Sequence, residues 1–320
     1  MYYPYMRGKQ EELLALKELL DNNLLSDSII PIIEPVSLSS TLVTTLEKFI
    51  DKKRKAFIVQ NPNVGTFFRE MSGLEIKEEY DDEKEKKKVK RLLSYKERYE
   101  SALTHECIRL GVCIGKKFSS VQVDNMVKDY AIIFHDKDSV MQYNIKNEEK
   151  CSICLVPSTE FRKNFNSNLV LFGDRFNRKR DNSEYINQPI EFFSEDHLLY
   201  LKNNYNGFSD YSIAGSSFES GFAPSTLVIH IVYFDEESRA LNICHFTSDT
   251  NNTKKNQAKK FAEAGNKLKN WSNLHTEVNT LGLRELLKDY DEENYRGLGM
   301  LKRLSIMHHL ELIGQYLKEI

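Results

Sequence analysis

Short apolar runs rich in β-branched residues recur along the first 250 positions, separated by segments with helical spacing, and this alternation limits the folds open to the chain. Ile29-Ile30-Pro31-Ile32-Ile33-Glu34-Pro35 is the first such run, and Lys55-Ala56-Phe57-Ile58-Val59-Gln60-Asn61-Pro62 is the second. Cys107–Ile114, Tyr130–Asp136, Cys151–Val156 and Leu169–Arg175 follow. Runs this short and this apolar read as strands buried on both faces. Between them, residues 9–25 carry Leu13, Leu16, Leu20 and Leu24 at helical spacing, and residues 38–53 form a second helical segment. Within 66–105, the charge run Glu83–Lys88 reads as a solvated helix face. A helix is expected over 191–203 and a strand over Asp210–Ala214. Leu227–Phe234 and Ala240–Phe246, separated by five polar residues, form a hairpin. From about 252 the pattern is helical, with Leu301, Leu304, Met307, Leu310 and Ile313 on one stripe.

Strands alternating with helices point to a parallel sheet covered by helices. Eight or so units suit a closed barrel better than an open sheet, and no G-x-G-x-x-G follows the first strand. The expected fold is therefore α/β: an irregular (β/α)8, TIM-like barrel over residues 1–250, with a helical extension over 251–320 packed on the barrel or on a partner. Irregularity is expected because the 157–168 connection is too short for a normal crossover helix and the hairpin breaks the repeat.

Charge adds an exclusion. The 45 basic and 47 acidic side chains leave a net charge of -2, so no global positive field favours nucleic acid. The five cysteines are odd in number and sit in apolar runs, which reads as small buried hydrophobes rather than a disulfide framework. Cys151 and Cys154 have C-x-x-C spacing, but no second pair accompanies them. The N-terminus lacks the apolar core of a signal peptide, and no stretch approaches the ~20 apolar residues that span a bilayer. The expectation is a cytoplasmic protein without membrane contact.

In parallel barrels chemistry sits at the C-terminal ends of the strands. That rule selects Glu34, His135, Asp136, Asp174, Arg175 and His245 as candidate catalytic residues, and Asn61, Asp210 and Asp249 as candidate ligand contacts. Together, acids, imidazoles and a guanidinium could hold a divalent metal or supply acid–base groups. Each has a structural reading beside the functional one. Glu34 is a general base or oxygen ligand, or it pairs with an arginine that closes the barrel end. Asp136 is half of a His–Asp couple, or it starts the next helix as a cap. Asp174 and Arg175 point to opposite faces if extended. Asp210 lies at the far end of the barrel if its strand begins there. His230 reads as a core histidine, and His308-His309 as structural or partner-facing. Gly215-Ser216-Ser217 and Ser220-Gly221 are turn material. Arg175, Arg178, Lys179 and Arg180 around Phe176 form a basic loop, either solvated or phosphate-contacting.

The opening Tyr2-Tyr3-Pro4-Tyr5-Met6-Arg7-Gly8-Lys9 resembles that of the beta-protein family, which comprises a T-even phage protein and many bacterial relatives. Pro31-Ile32-Ile33-Glu34-Pro35, Asn61-Pro62-Asn63-Val64-Gly65, Asp174-Arg175-Phe176, Phe208-Ser209-Asp210-Tyr211 and His245-Phe246-Thr247-Ser248-Asp249 extend the resemblance over residues 1–250. It implies a barrel-like fold and a two-gene antiphage defence locus beside a nuclease-like gene. It carries over no catalytic residue. Two functions are therefore expected in parallel. One is a ligand-sensing or regulatory barrel acting with a partner nuclease. The other is a metal-assisted phosphodiesterase or nucleotide hydrolase with its site at the barrel mouth. A nucleotide or nucleic-acid ligand suits either, and the oligomeric state is left open.

Overall fold

Eight parallel strands form one sheet in the computed structural model, which describes residues 1–72, 83–115, 130–142, 151–157, 161, 165, 168–218 and 224–319. They are β1 (Tyr5–Met6), β2 (Ile32–Ile33), β3 (Ala56–Val59), β4 (Ile108–Ile114), β5 (Tyr130–Phe134), β6 (Cys151–Val156), β7 (Leu169–Gly173) and, after β8 (Ile190–Ser194) in another sheet, β9 (Gly207–Asp210). Sheet order follows the chain from β1 to β7 and then β9. Tyr2 bridges both Ile29 and Phe208, and Tyr3 N donates to Phe208 O at 2.9 Å, so the sheet closes on itself. The expected irregular TIM-like barrel is what the chain forms.

The strands bury both faces, which is why they read as unbroken apolar runs. Ile32, Phe57, Val59, Ile133, Leu155 and Phe172 fill the barrel interior. Their neighbours Ile33, Ile58, Ile132 and Val156 face the surrounding helices. Those helices include α1 (Gln10–Asp21) and α2 (Ser40–Asp51), the latter capped by Ser39 accepting from Leu42 N. The short α3 (Phe67–Ser72) precedes α4 (Glu83–Leu103), whose charge run is solvent-exposed as expected. Most of the 157–168 connection and the Ser220-Gly221 turn lie outside the described residues.

Three expectations need correction. The segment 191–203 is not one helix: it is strand β8 followed by α6 (Asp196–Leu199), after the one-turn α5 (Lys137–Gln142) earlier in the chain. Ile190, Phe192 and the buried Glu191 and Phe193 alternate in strand fashion, and the leucines of 198–201 misled the helical reading. The strand over 210–214 is displaced: β9 ends at Asp210, and Ser212–Ala214 is a 3-10 turn. The hairpin β10 (Val228–Phe234) and β11 (Leu241–Thr247) is real, but it pairs with β8 in a separate three-stranded antiparallel sheet outside the barrel.

The C-terminal helices α7 (Gln257–Leu274), α8 (Leu281–Asp291) and α9 (Leu298–Glu319) pack on the chain itself. α9 lies against α1, α8 and β10, with Leu304, Met307, Leu310 and Ile313 fully buried. Among the described residues no helix is long and apolar enough to cross a membrane. All five cysteines are buried thiols outside any disulfide.

Candidate functional site

The first two barrel strands bring the central pair of the mouth together. Arg7 follows β1 directly and Glu34 follows β2, so both sit at C-terminal strand ends. Gly8 makes this possible: it has φ +61°, and a Cβ there would lie 2.8 Å from Glu34 O. Glu34 is fully buried. Its Oε2 accepts from Arg7 Nη1 at 2.5 Å and from the Tyr5 hydroxyl at 2.8 Å, and its Oε1 accepts from Asn63 N at 2.7 Å. This is the arginine-paired reading of Glu34. The remaining Arg7 donors divide unequally. Nη2 donates to Ser216 O at 2.8 Å, while Nε is buried with no hydrogen-bond partner.

Beneath the pair lies a layer of neutral polar groups. The Tyr5 hydroxyl is 3.4 Å from both Cys113 Sγ and His135 Nε2. His135 Nε2 is 3.3 Å from the same sulfur, and its Nδ1 meets the Tyr211 hydroxyl at 2.8 Å. Asn61 holds the Cys113 backbone at both ends, donating to O at 2.8 Å and accepting from N at 2.9 Å. Burial holds the His135 imidazole down at about 4, against the pull of Glu34. Burial also pushes the Cys113 thiol and the Tyr5 and Tyr211 phenols well up. At neutral pH the thiol is therefore protonated and poorly nucleophilic. Arg7 alone moves towards firmer charge: burial works against it, and Glu34 and the two phenols outweigh burial.

The other predicted residues separate into three places. Asp174 and Asp210 end adjacent strands β7 and β9, so Asp210 is at the mouth end and not the far end. Asp210 Oδ1 accepts from the Tyr2 hydroxyl at 2.6 Å and from Ser212 N at 2.7 Å, and burial raises its pKa to about 6. Asp174 caps its own loops, accepting from Ser216 N at 2.8 Å and Phe176 N at 3.2 Å. Arg175 turns away from it to a two-point contact with Asp196, at 2.7 and 3.1 Å. Asp136 is the helix-starting cap, accepting from Ser139 N at 2.7 Å.

His245 and Asp249 are not in the mouth, because their hairpin left the barrel. Asp249 is an exposed partner of Lys267 at 2.7 Å. His245 is buried in the small sheet. Its Nε2 faces Glu191 at 3.2 Å and its Nδ1 meets His230 Nδ1 at 2.7 Å. His308 and His309 are structural. His308 links Thr280 to Val232 O, and His309 Nδ1 bonds the Ser212 hydroxyl at 2.7 Å.

The mouth thus gathers Glu34, Asn61 and His135 around groups the strand-end rule did not select: Tyr5, Arg7, Cys113 and Tyr211. Arg7 was within reach of that rule, but the two-residue β1 left no apolar run to mark it. Among the described residues no three His, Cys, Asp or Glu side chains stand close enough together to hold a metal ion. No protein-family model, curated protein or solved structure matches the chain.

Proposed function

We propose that this protein is a ligand-sensing barrel that regulates a nuclease-like partner in a bacterial antiphage module, acting in the cytoplasm. The observation that supports sensing is the Arg7–Glu34 pair at the mouth. A buried guanidinium donor left without an acceptor costs about 1–3 kcal/mol, and a rearrangement of the pair that opens Arg7 Nε to a ligand oxygen would relieve that cost. Around it the groups are neutral donors and acceptors held in fixed places by Tyr5, Asn61 and Tyr211, which suits recognition. The module and its nuclease partner are what the resemblance to the beta-protein family implies.

The hydrolase alternative needs carboxylates that share one metal shell. Glu34, Asp136 and Asp174 are instead each engaged by donors of their own. The sensing reading therefore has the better support.

The test is co-expression with the neighbouring nuclease-like gene under phage challenge. The expected result is that the two products co-purify, that protection needs both genes, and that the Arg7→Met/Glu34→Gln double variant, which strands no buried charge, removes protection while leaving the complex intact. Protection by this chain without the neighbour would sink the reading, and so would full protection by the double variant.

A further inference from the structure

The foot of the barrel, opposite the mouth, carries its own concentration of charge, and a cavity joins its members. A cleft of about 770 Å³ opens where the N-terminal ends of β3 and β4 meet the C-terminal ends of α2 and α4. Lys53 and Lys55 of the α2–β3 loop, His105 before β4 and Arg109 within it line this cleft, and Glu106 is the one carboxylate among the lining residues described. Among the described residues the side chains of Lys53, Lys55 and Arg109 have no hydrogen-bond or ion-pair partner.

The loop sorts its four consecutive cations. Lys52 Nζ donates to Asn23 Oδ1 at 3.0 Å. Arg54 donates to the carbonyls of Leu25 and Ser26 and pairs with Asp27 at 3.2 Å. Both are therefore engaged by the segment that follows α1, while Lys53 and Lys55 are left to the cleft. They are not needed as helix caps. Lys48 O, Phe49 O and Ile50 O at the end of α2 accept from the backbone N–H groups of Lys52, Arg54 and Lys53, at 3.0, 2.8 and 3.0 Å. At the end of α4, Ser101 O and Ala102 O accept from Thr104 N at 3.2 Å and His105 N at 3.1 Å.

His105 adds an oriented donor. Cys107 N donates to His105 Nδ1 at 3.2 Å, so the neutral imidazole carries its proton on Nε2. Three cations and this N–H face a single carboxylate, and a cleft lined by one sign of charge concentrates ions of the other. The balance selects an anion with two or more charges. The volume is that of a small-molecule site and far more than an inorganic phosphate fills. Ile50 and Leu103 supply an apolar wall for an uncharged part.

We infer that the foot of the barrel binds a multivalent organic anion of the nucleoside polyphosphate class, with Lys53, Lys55 and Arg109 on the phosphates and His105 Nε2 donating to a further oxygen. Chemistry in parallel barrels collects at the mouth, so the role at the foot is binding. The inference goes beyond the sensing reading of the mouth and shares no residue with it.

The test is isothermal titration of the purified full chain with ATP, inorganic triphosphate, adenosine and a short single-stranded oligonucleotide. ATP is expected to bind, triphosphate to bind more weakly, and adenosine not to bind. Lys55→Gln and Lys53→Gly are each expected to weaken ATP by about tenfold or more, the loss of one charge-assisted hydrogen bond. Both positions are exposed, and Lys53 has φ +52°, a conformation that glycine adopts without strain, so neither change threatens the fold. Arg7→Met/Glu34→Gln at the mouth is expected to leave ATP binding unchanged. Absence of ATP binding overturns the inference, as does unaltered ATP binding in either lysine variant. Loss of ATP binding in the mouth variant overturns it by moving the site to the other end. Triphosphate binding as tightly as ATP overturns it because the apolar wall then contributes nothing, and tighter binding of the oligonucleotide than of ATP overturns it in favour of an open surface for nucleic acid.

Discussion

At the level of single residues, the mouth is built on one buried charge pair and one glycine. Removing half of a buried pair strands the other charge, which typically costs about 3–5 kcal/mol. Arg7→Met leaves Glu34 fully buried with the Tyr5 hydroxyl and Asn63 N alone, so urea denaturation should show a loss of that size. Neutralising both in Arg7→Met/Glu34→Gln should recover part of the loss, because the two changes share one interaction and do not add. A double variant as unstable as the sum of the singles would mean that the pair does not act as a unit. Gly8→Ala tests the backbone beside it. The φ of +61° and the approach to Glu34 O both resist a Cβ, so a loss of more than about 1 kcal/mol is expected.

At the level of elements, the C-terminal helices are part of the barrel's own core and not a detachable arm. Gly282 of α8 sits so close to α9 that a Cβ would lie 2.2 Å from Leu304 O and 2.7 Å from His308 N, both backbone atoms. Gly282→Ala should therefore push α8 off α9 and lower the thermal midpoint by several degrees, a shift corresponding to about 1–3 kcal/mol. An unchanged midpoint would show that the two helices can part without cost. The leucine stripe of α9 was legible in the sequence, and so were the six barrel strands from β2 to β7, because burial on both faces writes itself as apolar runs. Asp210 was misplaced because Phe208-Ser209 in β9 is too short and too polar to register as a strand. β8 was lost because Ile190 and Phe192 are exposed while Glu191 is buried, which reverses the usual code. The mouth was legible in Glu34, Asn61 and His135, since each closes an apolar run. Cys113 lies inside such a run, where periodicity distinguishes no polar tip from its hydrophobic neighbours, and Tyr5 lies in the two-residue β1, which forms no run at all.

At the level of the whole molecule, buried imidazoles govern the response to acid. His135 and His308 are held at about 4 and His309 at about 3, in each case mainly by burial, against an ordinary value of 6.5. A histidine with a lowered folded-state pKa is neutral in the native chain while the unfolded chain takes up protons, so its contribution is intact above pH 6.5 and is lost as pH falls towards 4. Asp210 works in the opposite sense. Its folded-state pKa of about 6 lies above the ordinary 3.8, so it favours the folded chain on the acid side and loses that contribution as pH rises from 3.8 to 6. His197, His230 and His245 act in the direction of these three histidines, Asp196, Asp289 and Glu311 in that of Asp210, and each of the three histidine shifts is at least as large as that of Asp210. Stability should therefore fall by several kcal/mol, to order of magnitude, between pH 7 and pH 4.5. Thermal unfolding across that range checks the sum, and His309→Phe checks the assignment. Phenylalanine fits between Tyr2 and Phe193, the aromatic rings that flank His309, but leaves the Ser212 hydroxyl without its partner. The variant should start less stable at pH 7 and lose less on acidification. A parallel decline in both proteins would place the acid sensitivity elsewhere than at His309 of α9.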